Sequence, residues 1–236
     1  MLDRVPTTSV GANRRCPGRL WVTMAAVLIC LACAACGSTS GTSLPAKHAT
    51  YQLHMAFFSH ESGLGAVIDP QVFVSRPGAA GGVGPQMITH AAGLTPAPGN
   101  APAGTPLLGA TGRSLHITFG EWQRARGSLT FSCTKSVSTV SSRLTGLIPR
   151  GVYSVFVVHL KVNGPRRFTP LGSASGSDNT FVASATGTAE PRDSVVGCLT
   201  KADAVVVIWH SDGMSHGSAP GVLGVTWHNS VITPVP

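Results

Sequence analysis

Five residues in the C-terminal half carry the donor types that hold a soft or borderline metal ion. His210, Met214 and His216 fall within seven positions, and His159 and His228 stand near the ends of apolar runs. Imidazole nitrogens with a thioether suit copper, Cu(I) above all, while imidazoles alone suit zinc. A loop at one end of a sheet could gather them. His54, Met55 and His60 form a second, looser group, which reads as structural. Within the first cluster, Gly213-Met214-Ser215-His216-Gly217 matches the G-x-S-x-G pattern of a nucleophile elbow. An elbow needs a helix directly after it, and Ser218-Ala219-Pro220-Gly221 forbids one. No Asp or Glu follows Asp212, so the order serine, acid, histidine fails as well. Asp212-Gly213 and Asp178-Asn179 are turn chemistry. Together with His210, Met214 and His216 they mark one loop end as the expected recognition surface, since rigid β scaffolds carry function on their loops.

The elements that must position this loop read as strands. Leu115, Ile117 and Phe119 alternate with Ser114, His116 and Thr118, and Leu129, Phe131 and Cys133 alternate with Thr130 and Ser132. Period-2 alternation is the mark of a half-buried strand. Residues 136–147 are rich in Ser, Thr and Val and suit an outward-facing strand. Residues 152–162 and 202–210 are almost continuously apolar and β-branched, as central strands are. Residues 50–59, 71–75, 181–186 and 222–228 complete the expected set. Residues 76–112 are rich in Gly, Ala and Pro and read as a linker or a long surface loop. Gly81-Gly82-Val83-Gly84 lies within them and lacks the following helix that a phosphate cradle needs.

Composition agrees with this reading. Charged residues make up only 11% of the 236, and 28 glycines and 17 prolines punctuate the chain, which excludes coiled coils and charge-rich disorder. The expected fold is all-β, an antiparallel β-sandwich of about seven or more strands, after an N-terminal signal helix and a flexible tether. The expected organisation is a signal peptide over 1–35, a lipidated tether over 36–49, N-terminal strands and loop over 50–112, and the sandwich over 113–236.

The N-terminus sets an address. Arg4, Arg14, Arg15 and Arg19 precede an apolar run over residues 20–36, broken only by Thr23, and it ends Cys33-Ala34-Ala35-Cys36-Gly37-Ser38. Cations, a short apolar segment and small residues make a secretory signal. Its last residues resemble the lipobox of bacterial lipoproteins, with Cys33 standing where that family usually has an aliphatic residue. The resemblance implies cleavage before Cys36, conversion of its thiol to a lipid thioether whose chains are fatty acids such as palmitate, and attachment to the extracytoplasmic face of the cell membrane. An uncleaved signal anchor is the competing reading. Gly37-Ser38-Thr39-Ser40-Gly41 would then form a flexible tether.

Loss of residues 1–35 removes four arginines and one aspartate and lowers the formal charge from +8 to +5. The remaining cations are scattered without a Lys/Arg run, which speaks against a nucleic-acid partner. With Cys36 acylated, Cys133 and Cys198 are the two thiols left outside the cytoplasm, and an oxidising compartment favours a disulfide between them over two free thiols.

Several stretches are similar to an uncharacterised family of secreted prokaryotic β-sandwich domains. They are Leu144-Thr145-Gly146-Leu147-Ile148-Pro149, the segment from Leu171-Gly172 to Phe181, and His210-Ser211-Asp212-Gly213 with His216-Gly217. That resemblance spans roughly residues 113–232 and implies a fold and a recurring loop, without an activity. The expected function is a lipid-anchored, non-catalytic binding or structural module of the cell envelope. A copper-binding envelope protein is the alternative, and an enzyme acting on envelope polymers is a weaker one.

Overall fold

The computed structural model describes residues 45–160 and 167–236. Sixteen strands and two short helices are built from them. The N-terminal half contains β1 (Lys47–Thr50), β2 (Gln52–Leu53), α1 (His54–Glu61), β3 (Ile68–Ser75), β4 (Gly82–Val83), β5 (Thr89–His90), β6 (Leu94–Pro98), β7 (Pro106–Leu108), β8 (Ser114–Thr118) and α2 (Phe119–Trp122). The C-terminal half adds β9 (Arg126–Thr134), β10 (Val137–Thr145), β11 (Val152–His159), β12 (Arg167–Pro170), β13 (Thr180–Val182), β14 (Arg192–Val196), β15 (Asp203–His210) and β16 (Trp227–Pro234).

Two antiparallel sheets form the sandwich, in the orders β1-β9-β10-β14 and β12-β11-β15-β16-β2, with β13 paired to β11. Their inner faces share one core. Leu129, Phe131, Val140 and Leu144 come from the first sheet, and Tyr153, Val155, Val157, Val205, Val207 and Trp209 from the second. Alternation sends the intervening residues outward. Phe156, Val158, Val206, Ile208 and Ile232 form a second apolar layer with Phe57 of α1. Strand β15 is therefore buried on both faces, which is why its sequence is continuously apolar rather than alternating. Removing each such side chain from water contributes about 1.5–3 kcal/mol, and β15 does so along its whole length.

The disulfide forms as expected, joining Cys133 on β9 to Cys198 in the segment before β15. Three local readings of the sequence are corrected. Residues 50–59 do not make one strand: the chain leaves β2 and turns into α1, sending Met55 to the inner core and Phe57 to the outer layer. The helix is fastened by its own Ser59, whose hydroxyl donates to the Ile68 carbonyl and accepts from the Ile68 amide at 3.0 Å. The last strand begins at Trp227 rather than Val222, because residues 222–226 form a turn in which Val222 O accepts from Val225, Thr226 and Trp227.

Residues 76–112 carry β4 to β7 instead of an unstructured loop. A third sheet, β6-β3-β7-β8, places Val72, Ala97 and Leu107 in the same core as the sandwich. Backbone hydrogen bonds stitch this stretch with little regard to side-chain pattern. Gly81 shows why glycine recurs there, since a Cβ would stand 2.8 Å from the Ala92 nitrogen. The short helix α2 is closed by a capping box, Thr118 and Glu121 each accepting from the other's backbone N–H. That cap aims Trp122 into the core, where it meets the site described next.

Candidate functional site

The loop end predicted as a recognition surface is laced to itself. His216 Nε2 stands 3.1 Å from Asp212 Oδ2, and Asp212 Oδ1 accepts from the Met214 amide. Asp178 accepts from the amide and hydroxyl of Ser173, and Asn179, buried, donates its side-chain amide to the Gly217 carbonyl. Hydrogen bonds to Asp178 hold its carboxyl below the usual range. These bonds tie residues 173–180 to residues 211–217.

A hydroxyl chain then runs inward. Thr180 donates to Asn179 Oδ1, which leaves its oxygen to accept from Ser154 at 2.9 Å and from Ser215 at 2.8 Å. Ser154 therefore accepts from His210, whose Nε2 carries the proton at 2.8 Å. His210 Nδ1 is left without a hydrogen-bond partner in the interior. Burial, then the neighbouring His216, push the His210 imidazole down to about 4, with Asp212 opposing. Ser215 is thus committed to Thr180 and has no base beside it, so the G-x-S-x-G match has no elbow chemistry.

The predicted metal set does not assemble. His159 lies opposite Asp203, whereas His210 lies opposite Val152, seven residues along the same ladder. At about 3.3 Å per residue they are about 23 Å apart. His159 Nδ1 sits 2.7 Å from Asp203 Oδ1, and its Nε2 is 3.1 Å from Thr169 Oγ1. His228 donates Nδ1–H to the Gln71 carbonyl, and Met214 is 59% exposed. Only His210 and His216 meet, with ring centroids 5.1 Å apart. Among the described residues no three His, Cys, Asp or Glu side chains converge as metal ligands. The set fails because His159 stands at the far end of the ladder, His228 turns to the Gln71 carbonyl, and Met214 in the loop after β15 points to solvent.

His228 belongs to a buried polar centre that the sequence did not single out. Its ring packs tilted on Trp209 and edge-on to Trp122, and Trp122 Nε1 donates to Asp69 Oδ2 at 2.7 Å. Burial lowers His228 to about 4, opposed by the carbonyls of Gln71 and Val225. Burial raises Asp69 to about 6, opposed by N–H donors from Trp122, Gln71 and Val72.

From this centre the polar groups lead to a cleft of about 720 Å³ on the outer face of the β11-β15-β16 sheet. Helix α1 covers part of that face through Phe57 and leaves the rest open. Val158, Phe168, Trp227 and Ile232 form the apolar floor, and Phe58, Leu64 and Leu223 the walls. Trp227 packs edge-on to Phe168 at 4.7 Å. One margin is polar. Trp227 Nε1 donates to Asn229 Oδ1, and the Asn229 amide donates to His54 Nε2. Gln71 Oε1 accepts from the Asn229 backbone, and Gln71 Nε2 donates to Gln86 Oε1 at 2.8 Å.

The rim is strained. Gln86 and Met87 are consecutive non-glycine residues in the left-handed region, with φ 56° and 59°. Each such residue costs roughly 1–3 kcal/mol, and strain of this kind gathers at ligand clamps and switches. Met87 is also 81% exposed, an unusual position for a large apolar side chain. Neither feature was visible in the sequence, where Pro85-Gln86-Met87 looks like any polar turn. The presence of several aromatic residues around α1 and β16 was the only available signal.

Cys36, the predicted lipid acceptor, lies outside the described residues. Compared with known proteins, the chain matches no family model and no curated sequence.

Proposed function

We propose that this protein is a lipid-anchored β-sandwich of the extracytoplasmic face of the cell membrane, and that it binds a small molecule in the cleft beside α1. The cleft carries the reading. Its volume falls in the range of small-molecule sites, about 300–1,000 Å³, and it joins an apolar floor to a few convergent polar groups. Those groups are amides, an indole and an imidazole already engaged by Asn229, a set suited to holding a ligand rather than transforming it. The loop of Asp178, Asn179, Asp212 and His216 acts in this view as a brace.

The address rests on the cationic leader, the lipobox-like residues before Cys36, and the Cys133–Cys198 disulfide, which suits an oxidising compartment. A two-chain acyl anchor at Cys36 would hold the protein stably. Two measurements test the proposal. Metabolic labelling with palmitate should mark the native chain and fail on Cys36→Ser; undiminished label in the variant would move the acceptor elsewhere. Native mass spectrometry of the full-length protein released from membranes should show one noncovalent small molecule. Met87→Asp, a change at an exposed rim position, should lower that occupancy about tenfold, as expected for removing about 1.4 kcal/mol of binding. Equal occupancy in the variant would place the molecule outside the cleft.

A further inference from the structure

We infer that the cleft beside α1 takes an uncharged acyl ester, a glycerolipid-type amphiphile whose chain lies on the apolar floor while its ester carbonyl accepts hydrogen bonds from the side-chain amides of Gln86 and Asn229. The inference rests on the reading of the cleft as a ligand site and adds its chemistry.

The first support is charge. Among the described residues fourteen line the cleft, and none of these is Asp, Glu, Lys or Arg. His54 is the one titratable group among them, and its Nε2 accepts from Asn229. An ionised head would have to leave water with no counter-charge to meet it, which costs several kcal/mol. A neutral head pays no such penalty.

The second support is the direction of the spare hydrogen bonds. Gln71 uses its carbonyl on the Asn229 backbone and one N–H on Gln86. Asn229 uses its carbonyl on Trp227 and one N–H on His54. The accepting ends of both amides are thereby occupied, and so is one donor of each. What remains at this margin is N–H: the second hydrogens of Gln71 and Asn229, and the NH₂ of Gln86, whose oxygen faces Gln71. A margin of spare donors fits carbonyl or ether oxygens and mismatches an ammonium group.

The third support is shape and supply. The floor is long and apolar, with Val158 and Ile232 beneath and the faces of Phe58, Phe168 and Trp227 around it. Met87, 81% exposed on a left-handed backbone, stands at the mouth where it can fold over an entering chain. Eight residues, or nine Cα-to-Cα steps, lie between Cys36 and Pro45. With Cys36 acylated, a fully extended tether keeps the domain within about 32 Å of the bilayer surface. The acyl esters of the bilayer are then within reach, and the uncharged ones among them meet the condition set by the lining.

The test uses the full-length protein in bacterial membranes and three photoprobes sharing one alkyl chain with a terminal diazirine: a monoacylglycerol, the free fatty acid, and an alkyltrimethylammonium. Peptide mapping should place the monoacylglycerol adduct on residues 54–64, 85–87 or 223–232, at least about tenfold above the two charged probes. Gln86→Glu keeps the oxygen that accepts from Gln71 and removes the NH₂. It should lower monoacylglycerol labelling about tenfold and raise labelling by the ammonium probe. Equal labelling of the cleft by all three probes, or no effect of Gln86→Glu, would overturn the ester assignment and leave the cleft as a binding site. Labelling confined to peptides outside the cleft would overturn both.

Discussion

Replacing Cys133 and Cys198 together with alanine is expected to lower the unfolding free energy by about 4 kcal/mol, the chain-entropy value for a loop of this length. The bridge spans 65 residues of sequence. Little of the loss should come from the folded state, because the Cys198 segment has other holds. Gly197 donates to the Ser136 carbonyl, and the Leu199 amide donates to Ser138 Oγ at 2.9 Å. The effect acts through an unfolded chain that gains freedom. Urea unfolding followed by circular dichroism should show a lower midpoint and a steeper dependence on denaturant, as the unfolded state exposes more surface. A loss below about 1 kcal/mol would mean that the unfolded chain is already held compact near these positions.

The second large effect concerns acid. His228 titrates near 4 in the fold against 6.5 when exposed, so its stabilising contribution is present above pH 6.5 and is lost as pH falls through 4. His210 shifts in the same direction. Asp69 runs the other way. Raised from 3.8 to about 6, it stabilises the fold below pH 3.8 and loses that contribution as pH rises through 6. Each wholly buried group is worth about 3 kcal/mol over its window, so Asp69 and His228 nearly cancel between pH 6.5 and 4. The acid dependence of the native protein should therefore be set mainly by His210, with stability falling as pH drops from 6.5 toward 4. Asp69→Asn removes the compensating group. Relative to the native chain, that variant should lose about 3 kcal/mol more on going from pH 7 to pH 4, measured by urea titration at both pH values. Parallel curves would show that Asp69 is not the buried counterweight to His228.

How much of this was legible beforehand follows from what sequence patterns report. Strands β9, β11 and β15 were readable because burial on one or both faces writes itself into alternation or into continuous Val and Ile. Cys133 and Cys198 paired as counted. Helix α1 was missed because Met55, Phe57 and Phe58 fit a strand nearly as well as a helix, and Leu53 offers no capping side chain. The absence of β-branched residues over His54–Glu61 was the available hint. Strands β4 to β7 escaped because their pairing is made by backbone groups around Gly81 and the prolines.

The site was less legible than the fold. Clustering along the chain drew attention to His210, Met214 and His216, yet the loop after β15 leaves Met214 in solvent and ties His216 to Asp212 beside the buried His210. The cleft is instead assembled from α1, β3, β11, β12, β16 and the Gln86 turn, which are far apart in sequence. Its polar members are mostly amides, with the Trp227 indole, the His54 imidazole and the Ser62 hydroxyl, and they leave no motif.

The pairing of β2 with β16 joins Leu53 to Val231 and Gln52 to Ile232. This sheet therefore cannot close until nearly 180 further residues have been synthesised, whatever forms earlier. Such non-local topologies acquire structure slowly, in milliseconds to seconds. A chain of this design leaves the ribosome with the β2 edge of this sheet still unpaired. Under the proposed extracytoplasmic address, that delay would leave the chain threadable when it meets a translocation pore.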